Sequence, residues 1–207
     1  MRKLLLASAL LLSTGYAVQA ADLIVMPEEV PVAASGSPSI YVQLLGGAAL
    51  GLDVDFFEDG FNDESYTMDT GLAAAATLGV MVMDNVAIEG DLYWTDRVFT
   101  TEPDYDLSTL SAMVNVKALL PVNEMFTLYG AVGVGYITYS VNPDGDDYGG
   151  WGYQLIVGAT AEVAENIALV GELRYQRGFG EIPMDGDDFY GIDAPTASAL
   201  VGLKISF

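Results

Sequence analysis

The chain has 207 residues, of which 52% are hydrophobic, and its 29 acidic and 7 basic residues give a formal net charge of −22. It contains no His and no Cys, which excludes the commonest general base, thiol nucleophiles, disulfides and thiolate metal sites. The large apolar fraction excludes intrinsic disorder, and so few basic residues make nucleic acid a poor candidate partner.

The first twenty residues have the pattern of a secretory signal peptide. Arg2 and Lys3 precede an apolar run from Leu4 to Leu12, which is about half of the ~20 residues that a membrane-spanning helix needs. Small residues at Val18 and Ala20 suit signal peptidase, so we predict a signal peptide over residues 1–20. An N-terminal anchor helix is the alternative.

The next segment, residues 21–38, has a different composition. Three prolines stand among Glu, Ala and Ser residues, a composition typical of an extended chain. We predict a periplasmic tail containing Pro and Glu over this segment.

A unit of about forty residues then repeats along the chain. In three places a turn precedes an alternating apolar segment, and these segments begin at Val86, Phe126 and Ile167, which are 40 and 41 positions apart. Alternation with a period of two is a strand signal. Counting the units predicts eight strands, at about residues 39–50, 70–82, 86–99, 107–120, 125–141, 151–163, 167–179 and 196–207.

The connections between these strands alternate in length. Short turns are predicted near residues 84–85, 121–124 and 164–166, and long loops at 51–69, 100–106, 142–150 and 180–195. Long strands with this alternation are typical of an all-β, eight-stranded antiparallel up-and-down transmembrane β-barrel, which we predict over residues 39–207. A soluble eight-stranded carrier would have the same number of strands, so the faces of the strands must distinguish the two.

One face of each predicted strand is apolar, and ionisable residues lie on the other. A Lys or Arg facing lipid near the midplane costs about 2–4 kcal/mol, so the charged face is predicted to line the interior, whereas a soluble carrier would have a dry apolar interior. Eight strands enclose a space that side chains can fill, which disfavours a wide pore. The predicted interior polar network is Glu89, Asp91, Arg97, Lys117, Glu162, Glu172, Arg174 and Lys204.

A helical membrane protein is the main structural competitor, because residues 125–143 contain no charge. Gly130, Gly133 and Gly135 among β-branched residues make that segment a poor helix. Aromatic residues near the predicted strand ends suit the interfacial girdles of a membrane barrel. These are Tyr41, Trp94, Phe99, Phe126, Tyr136, Tyr139, Trp151, Tyr153, Tyr175 and Phe179.

The last residues, 201–207, alternate in polarity and end in Phe207. This ending resembles the C-terminal signal of Gram-negative outer-membrane barrels that the barrel-assembly machinery reads. Together with the signal peptide and the eight strands, it makes the chain resemble the small outer-membrane β-barrel family of alphaproteobacteria, the porin-like or opacity-like surface proteins. The resemblance implies a surface protein, an adhesin or a minor pore in the outer membrane, surrounded by lipid and lipopolysaccharide.

The long loops contain 18 of the 29 acidic residues and no Lys or Arg. Carboxylates suit hard cations, so weak binding of Mg²⁺ or Ca²⁺ is predicted, with solvated acidic loops as the alternative. The candidate metal residues are Asp144, Asp146, Asp147, Asp185, Asp187 and Asp188. No catalytic residue and no cofactor are predicted, because a hydroxyl nucleophile would lack a His base. The predicted role is structural or adhesive, with a small porin-like channel as the alternative.

Overall fold

The computed structural model describes residues 39–58, 64–101, 103–142, 146–184 and 187–207, and its regular elements there are strands. None of the described residues form a helix long and apolar enough to cross a membrane. The twelve strands belong to one sheet. They are β1 (Ile40–Leu50), β2 (Val54–Glu58), β3 (Glu64–Tyr66), β4 (Gly71–Met83), β5 (Val86–Val98), β6 (Asp106–Pro121), β7 (Phe126–Asn142), β8 (Asp146–Ala164), β9 (Ile167–Gly178), β10 (Ile182–Met184), β11 (Asp187–Asp193) and β12 (Thr196–Ser206).

Eight of these strands form a closed barrel, in the order β1-β4-β5-β6-β7-β8-β9-β12. Each pairs antiparallel with its neighbours, and β12 closes the ring by pairing with β1 from Tyr41↔Ser206 to Leu50↔Ala197. Closure leaves no unpaired sheet edge along the barrel wall. The predicted eight-stranded antiparallel barrel is confirmed.

Two Asn residues explain the tight connections at one end of the barrel, which we call the turn end. The side-chain oxygen of Asn123 accepts hydrogen bonds from the backbone N–H groups of Met125 and Phe126, at 2.9 and 2.8 Å. Asn166 has a φ of 67°, a left-handed conformation that Asn tolerates better than most residues. Both residues therefore favour sharp reversals of the chain.

The opposite end, which we call the loop end, contains more strand than the sequence predicts. Strand β8 begins at Asp146, because β7 continues to Asn142 and the two strands stay paired as far as Val141↔Asp146. Strands β2, β3, β10 and β11 also fall in segments predicted to be loops. Strand β11 pairs with β2 through Ile192↔Phe56, so two loops far apart in sequence join above the barrel.

Side chains alternate strictly across the wall. On β5, Leu92 is 57% exposed on the outer face, while its neighbours Asp91 and Tyr93 are buried inside. The outer row continues around the wall, because Gly90 pairs with Val114 and Val114 pairs with Val134, and both valines are exposed. The outer face is thus an apolar band, as lipid contact requires.

Candidate functional site in the barrel interior

An ion pair links neighbouring strands near the turn end. Lys117 on β6 pairs with Glu89 on β5, and both side chains are buried. The Tyr41 hydroxyl donates a 2.7 Å hydrogen bond to Glu89, and the Lys117 ammonium lies 4.2 Å from the centroid of the Tyr129 ring. The pair therefore has further polar and aromatic partners, as a buried charge requires.

A second group of charges crosses the middle of the barrel. Arg174 Nη1 lies 2.5 Å from Asp91 Oδ2, and Arg174 Nη2 lies 2.8 Å from Glu172 Oε1. Strand β9, which bears Arg174, is four positions from β5, which bears Asp91, in the ring of eight strands. The two strands are therefore diametrically opposite, and this bridge spans the interior.

A glycine on the inner face of β7 makes room for the same network. Gly133 on β7 faces inward, and a Cβ atom at this position would collide with the side chain of Asn115. Asn115 accepts a 2.6 Å hydrogen bond from Gln154, which also donates to Asp91 at 3.3 Å. Gly133 thus leaves the space that lets an amide pair extend the ion-pair group.

An apolar cluster lies above these charges at the loop end. Its buried residues come from the barrel strands and from the strands that join above them. They are Val54, Met68, Phe99, Leu107, Met113, Ile137, Tyr139, Val141, Tyr148, Ile182, Ile192 and Ala194. Among the residues that the structure describes, apolar side chains therefore pack together inside the loop end of the barrel.

The structure places the eight residues of the predicted network unequally. Six are buried in the interior, namely Glu89, Asp91, Arg97, Lys117, Glu172 and Arg174. Lys204 is half-buried near the turn end, with its ammonium 4.9 Å from the Tyr41 ring centroid, and Glu162 is exposed. The two lie near the rim of the barrel at the turn end.

The apolar outer band and the charged interior together are the arrangement of a membrane barrel, and a soluble carrier has the opposite one. The family model described as outer membrane protein beta-barrel domain matches residues 8–204. The chain belongs to this family. The expected resemblance to outer-membrane β-barrels is thereby confirmed.

Solved structures of outer-membrane barrels have the same fold. Neisserial surface protein A (NspA) has a TM-score of 0.57 and 16% sequence identity, with 81% of this chain and 97% of that chain covered. The outer membrane protein OprG from Pseudomonas aeruginosa has a TM-score of 0.59 and 16% identity, with 83% and 96% covered. A comparison with curated protein sequences gives no match.

Two ionisable residues of this outer-membrane barrel were missed by the sequence interpretation. Asp96 on β5 and Arg177 on β9 lie on the outer face, near the loop end. Arg177 is 45% exposed and forms an ion pair with Asp193 on β11. The strand alternation could have identified them, because residues two apart on a strand share a face. Asp96 is two residues from Trp94 and Arg177 is two from Tyr175, and both aromatic residues were predicted to face outward.

Three of the ten residues predicted for the aromatic girdles point inward, so the prediction was wrong for them. Tyr41 bonds to Glu89, Tyr139 donates a 3.1 Å hydrogen bond to the Ala194 carbonyl, and Phe99 packs in the apolar cluster. Their position near strand ends was correct, but the strand alternation decides the face. Outward aromatics do meet at the loop end, where the Tyr136 and Trp151 rings are 6.2 Å apart.

The side chains of the candidate metal residues lie outside what the structure describes. Asp144 and Asp185 are not described, and for Asp146, Asp147, Asp187 and Asp188 only the strand assignment is. Among the described residues, no group of three or more acidic side chains is placed to hold a metal ion. The assembly-signal candidate Phe207 is 78% exposed at the turn end, and its backbone N–H donates a 2.8 Å hydrogen bond to the Ile40 carbonyl.

Proposed function

We propose that this outer-membrane barrel is a non-catalytic, structural surface protein of a Gram-negative cell, inserted after cleavage of its signal peptide. Its loop end faces outward and its turn end faces the periplasm, the usual orientation of such barrels. The observation that supports a structural role is the bridge from Arg174 to Asp91 across the barrel. Side chains that join opposite walls stabilise the barrel and obstruct passage along its axis.

The acidic loops are the part of the molecule that would meet other molecules. Lipopolysaccharide, a ligand on another cell surface and divalent cations are the partners that this location and charge favour. NspA, which has the same fold, is itself named a surface protein. The non-catalytic role rests on the chain having no His and no Cys.

A small channel is the second candidate function. Eight buried polar atoms in the described part of the interior lack a hydrogen-bond partner. Such atoms are usually satisfied by internal water, and a hydrated interior favours the passage of small ions. Bilayer conductance distinguishes this candidate from the structural role.

We expect the refolded barrel to show no stable conductance steps in planar bilayers. The reason is that Arg174 and Asp91 meet across the barrel diameter. A variant with both residues replaced by Ala is the positive control, because it removes the bridge and should conduct. Reproducible open channels of one size in the unaltered protein would overturn the structural role in favour of the channel.

Divalent cations are proposed to bridge the acidic loops and the anionic lipopolysaccharide. Isothermal titration with Mg²⁺ or Ca²⁺ at low ionic strength should give weak binding heats, because salt screens such contacts beyond about 10 Å at 0.1 M. A variant with Asn at Asp144, Asp146, Asp147, Asp185, Asp187 and Asp188 should lose most of that heat. Identical heats from the two proteins would exclude these carboxylates as the binding groups.

A further inference from the structure

Arg97 is the one buried charge of the described interior that has no ion-pair partner there. Its side chain is fully buried, and its guanidinium reaches from β5 to the start of β12. Nη1 donates to the Pro195 carbonyl at 3.2 Å and Nη2 to Thr196 Oγ1 at 3.3 Å. Both acceptors are neutral, and the Nε–H group has no hydrogen-bond partner in the part of the chain that the structure describes.

The other two buried cations each form ion pairs with carboxylates. Lys117 pairs with Glu89, and Arg174 pairs with both Asp91 and Glu172. Asp193 is the acidic residue closest to Thr196 in the chain. It forms an ion pair with Arg177, whose side chain lies on the outer face. A buried charge left without a counter-charge is strongly unfavourable, so Arg97 needs an anion from elsewhere.

The surplus carboxylate near Arg174 is too distant to be that anion. Asp91 and Glu172 share one arginine, which leaves one negative charge in excess at mid-barrel. Asp91 precedes Arg97 by six residues on β5, so their Cα atoms are about 20 Å apart at ~3.4 Å per residue. The compensation that Arg97 receives from within the described interior is therefore weak.

Buried hydroxyl groups with no partner lie on the same inner face as Arg97, on β5 and the neighbouring β6. Thr95 precedes Arg97 by two residues and points to the same side, and Thr109 pairs with Thr95 across the β5–β6 ladder. The Oγ1 atoms of both threonines have no hydrogen-bond partner among the described residues. A hydroxyl can donate a hydrogen bond, so this cluster offers donors around one positive charge, which is the donor set of an anion site.

We infer that Arg97 and the hydroxyls of Thr95 and Thr109 bind a small monovalent anion, of the halide class, inside the barrel. One guanidinium supplies one positive charge, which favours a monovalent ligand. In the strand ladder Arg97 pairs with Leu107 and Thr109 pairs with Tyr139, so the site lies among tightly packed side chains, which favours a small ion. This inference does not depend on the proposed structural role.

Bromide is the probe, because its anomalous scattering identifies it in a crystal. Crystals of the refolded barrel in sodium bromide should show an anomalous peak within hydrogen-bond distance of the Arg97 guanidinium and of a Thr95 or Thr109 hydroxyl. Water at that position, or bromide on the protein surface only, would overturn the inference.

Thermal unfolding supplies a second, independent measurement. Relative to sodium gluconate at equal ionic strength, bromide should raise the Tm of the unaltered barrel by about 5–10 °C at roughly a hundredfold excess over its dissociation constant. Arg97→Met should abolish this shift. Thr109→Val should reduce it, and this variant keeps the shape of the side chain and favours strand, so it tests the site even if the Arg97 variant does not fold.

Arg177→Met is the matched control, because it removes an arginine that is half exposed on the outer face. It should retain the full bromide-induced shift. An equal shift in all four proteins, or no shift in the unaltered barrel, would show that the interior binds no anion.

Discussion

Replacing Arg174 with Met is expected to lower the free energy of unfolding by about 3–5 kcal/mol, the usual cost of removing one partner from a buried ion pair. Arg174 is buried and bonds to Asp91 and Glu172. Its loss leaves two carboxylates without their cation inside the barrel. Urea-induced unfolding of the barrel refolded in lipid vesicles measures the change.

Arg177→Met is also the matched control for this prediction. It deletes an arginine from the same strand, but its ion pair with Asp193 lies at the loop end and the Arg177 side chain is 45% exposed. Because Arg177 is half exposed and pairs with a single carboxylate, the control should lose less than the Arg174 variant. Equal losses from the two variants would mean that the pair across the barrel does not hold the opposite walls together.

Placing arginine on the lipid face is expected to have the second largest effect. Val114 is 59% exposed on the outer face in the middle of β6, and Val114→Arg should lower the free energy of unfolding by about 2–4 kcal/mol, because the charge enters the hydrocarbon core. Folding titrations in urea, in vesicles of fixed acyl-chain length, measure the loss.

Leu120→Arg provides the comparison on the same face of the same strand. Leu120 is 64% exposed and lies next to the turn end, where the cost falls to about 0–1 kcal/mol because the guanidinium reaches the headgroups. A cost at Val114 no greater than the cost at Leu120 would mean that this face does not cross the bilayer centre.

The alternation of polarity predicted the barrel strands within two residues at nearly every boundary. Alternation is a local property, because neighbouring side chains of a strand must point to opposite faces. The same property assigned Glu89 and Asp91 to the interior. Applied without exception, it would also have placed Asp96 and Arg177 outside and Tyr41 inside.

The pairing between loop segments could not be predicted from a local sequence pattern. Strands β2 and β11 are separated by more than a hundred residues, and each is too short to be recognised by alternation alone. They become strands because each supplies the other with hydrogen bonds and with apolar contacts such as those of Ile192 and Phe56. Strand β8 begins earlier than predicted for the same reason, because its first residues pair with the end of β7.

Strand period and lipid contact act on each segment independently, so the amino-acid pattern is enough to predict eight long strands, each with one apolar face. Which charges meet depends on how the strands close into a barrel. Arg174 finds Asp91 because barrel closure puts β9 opposite β5, and Arg97 finds neutral acceptors at Pro195 and Thr196 because its strand end faces the start of β12. These partners depend on closure of the ring, which no single segment encodes.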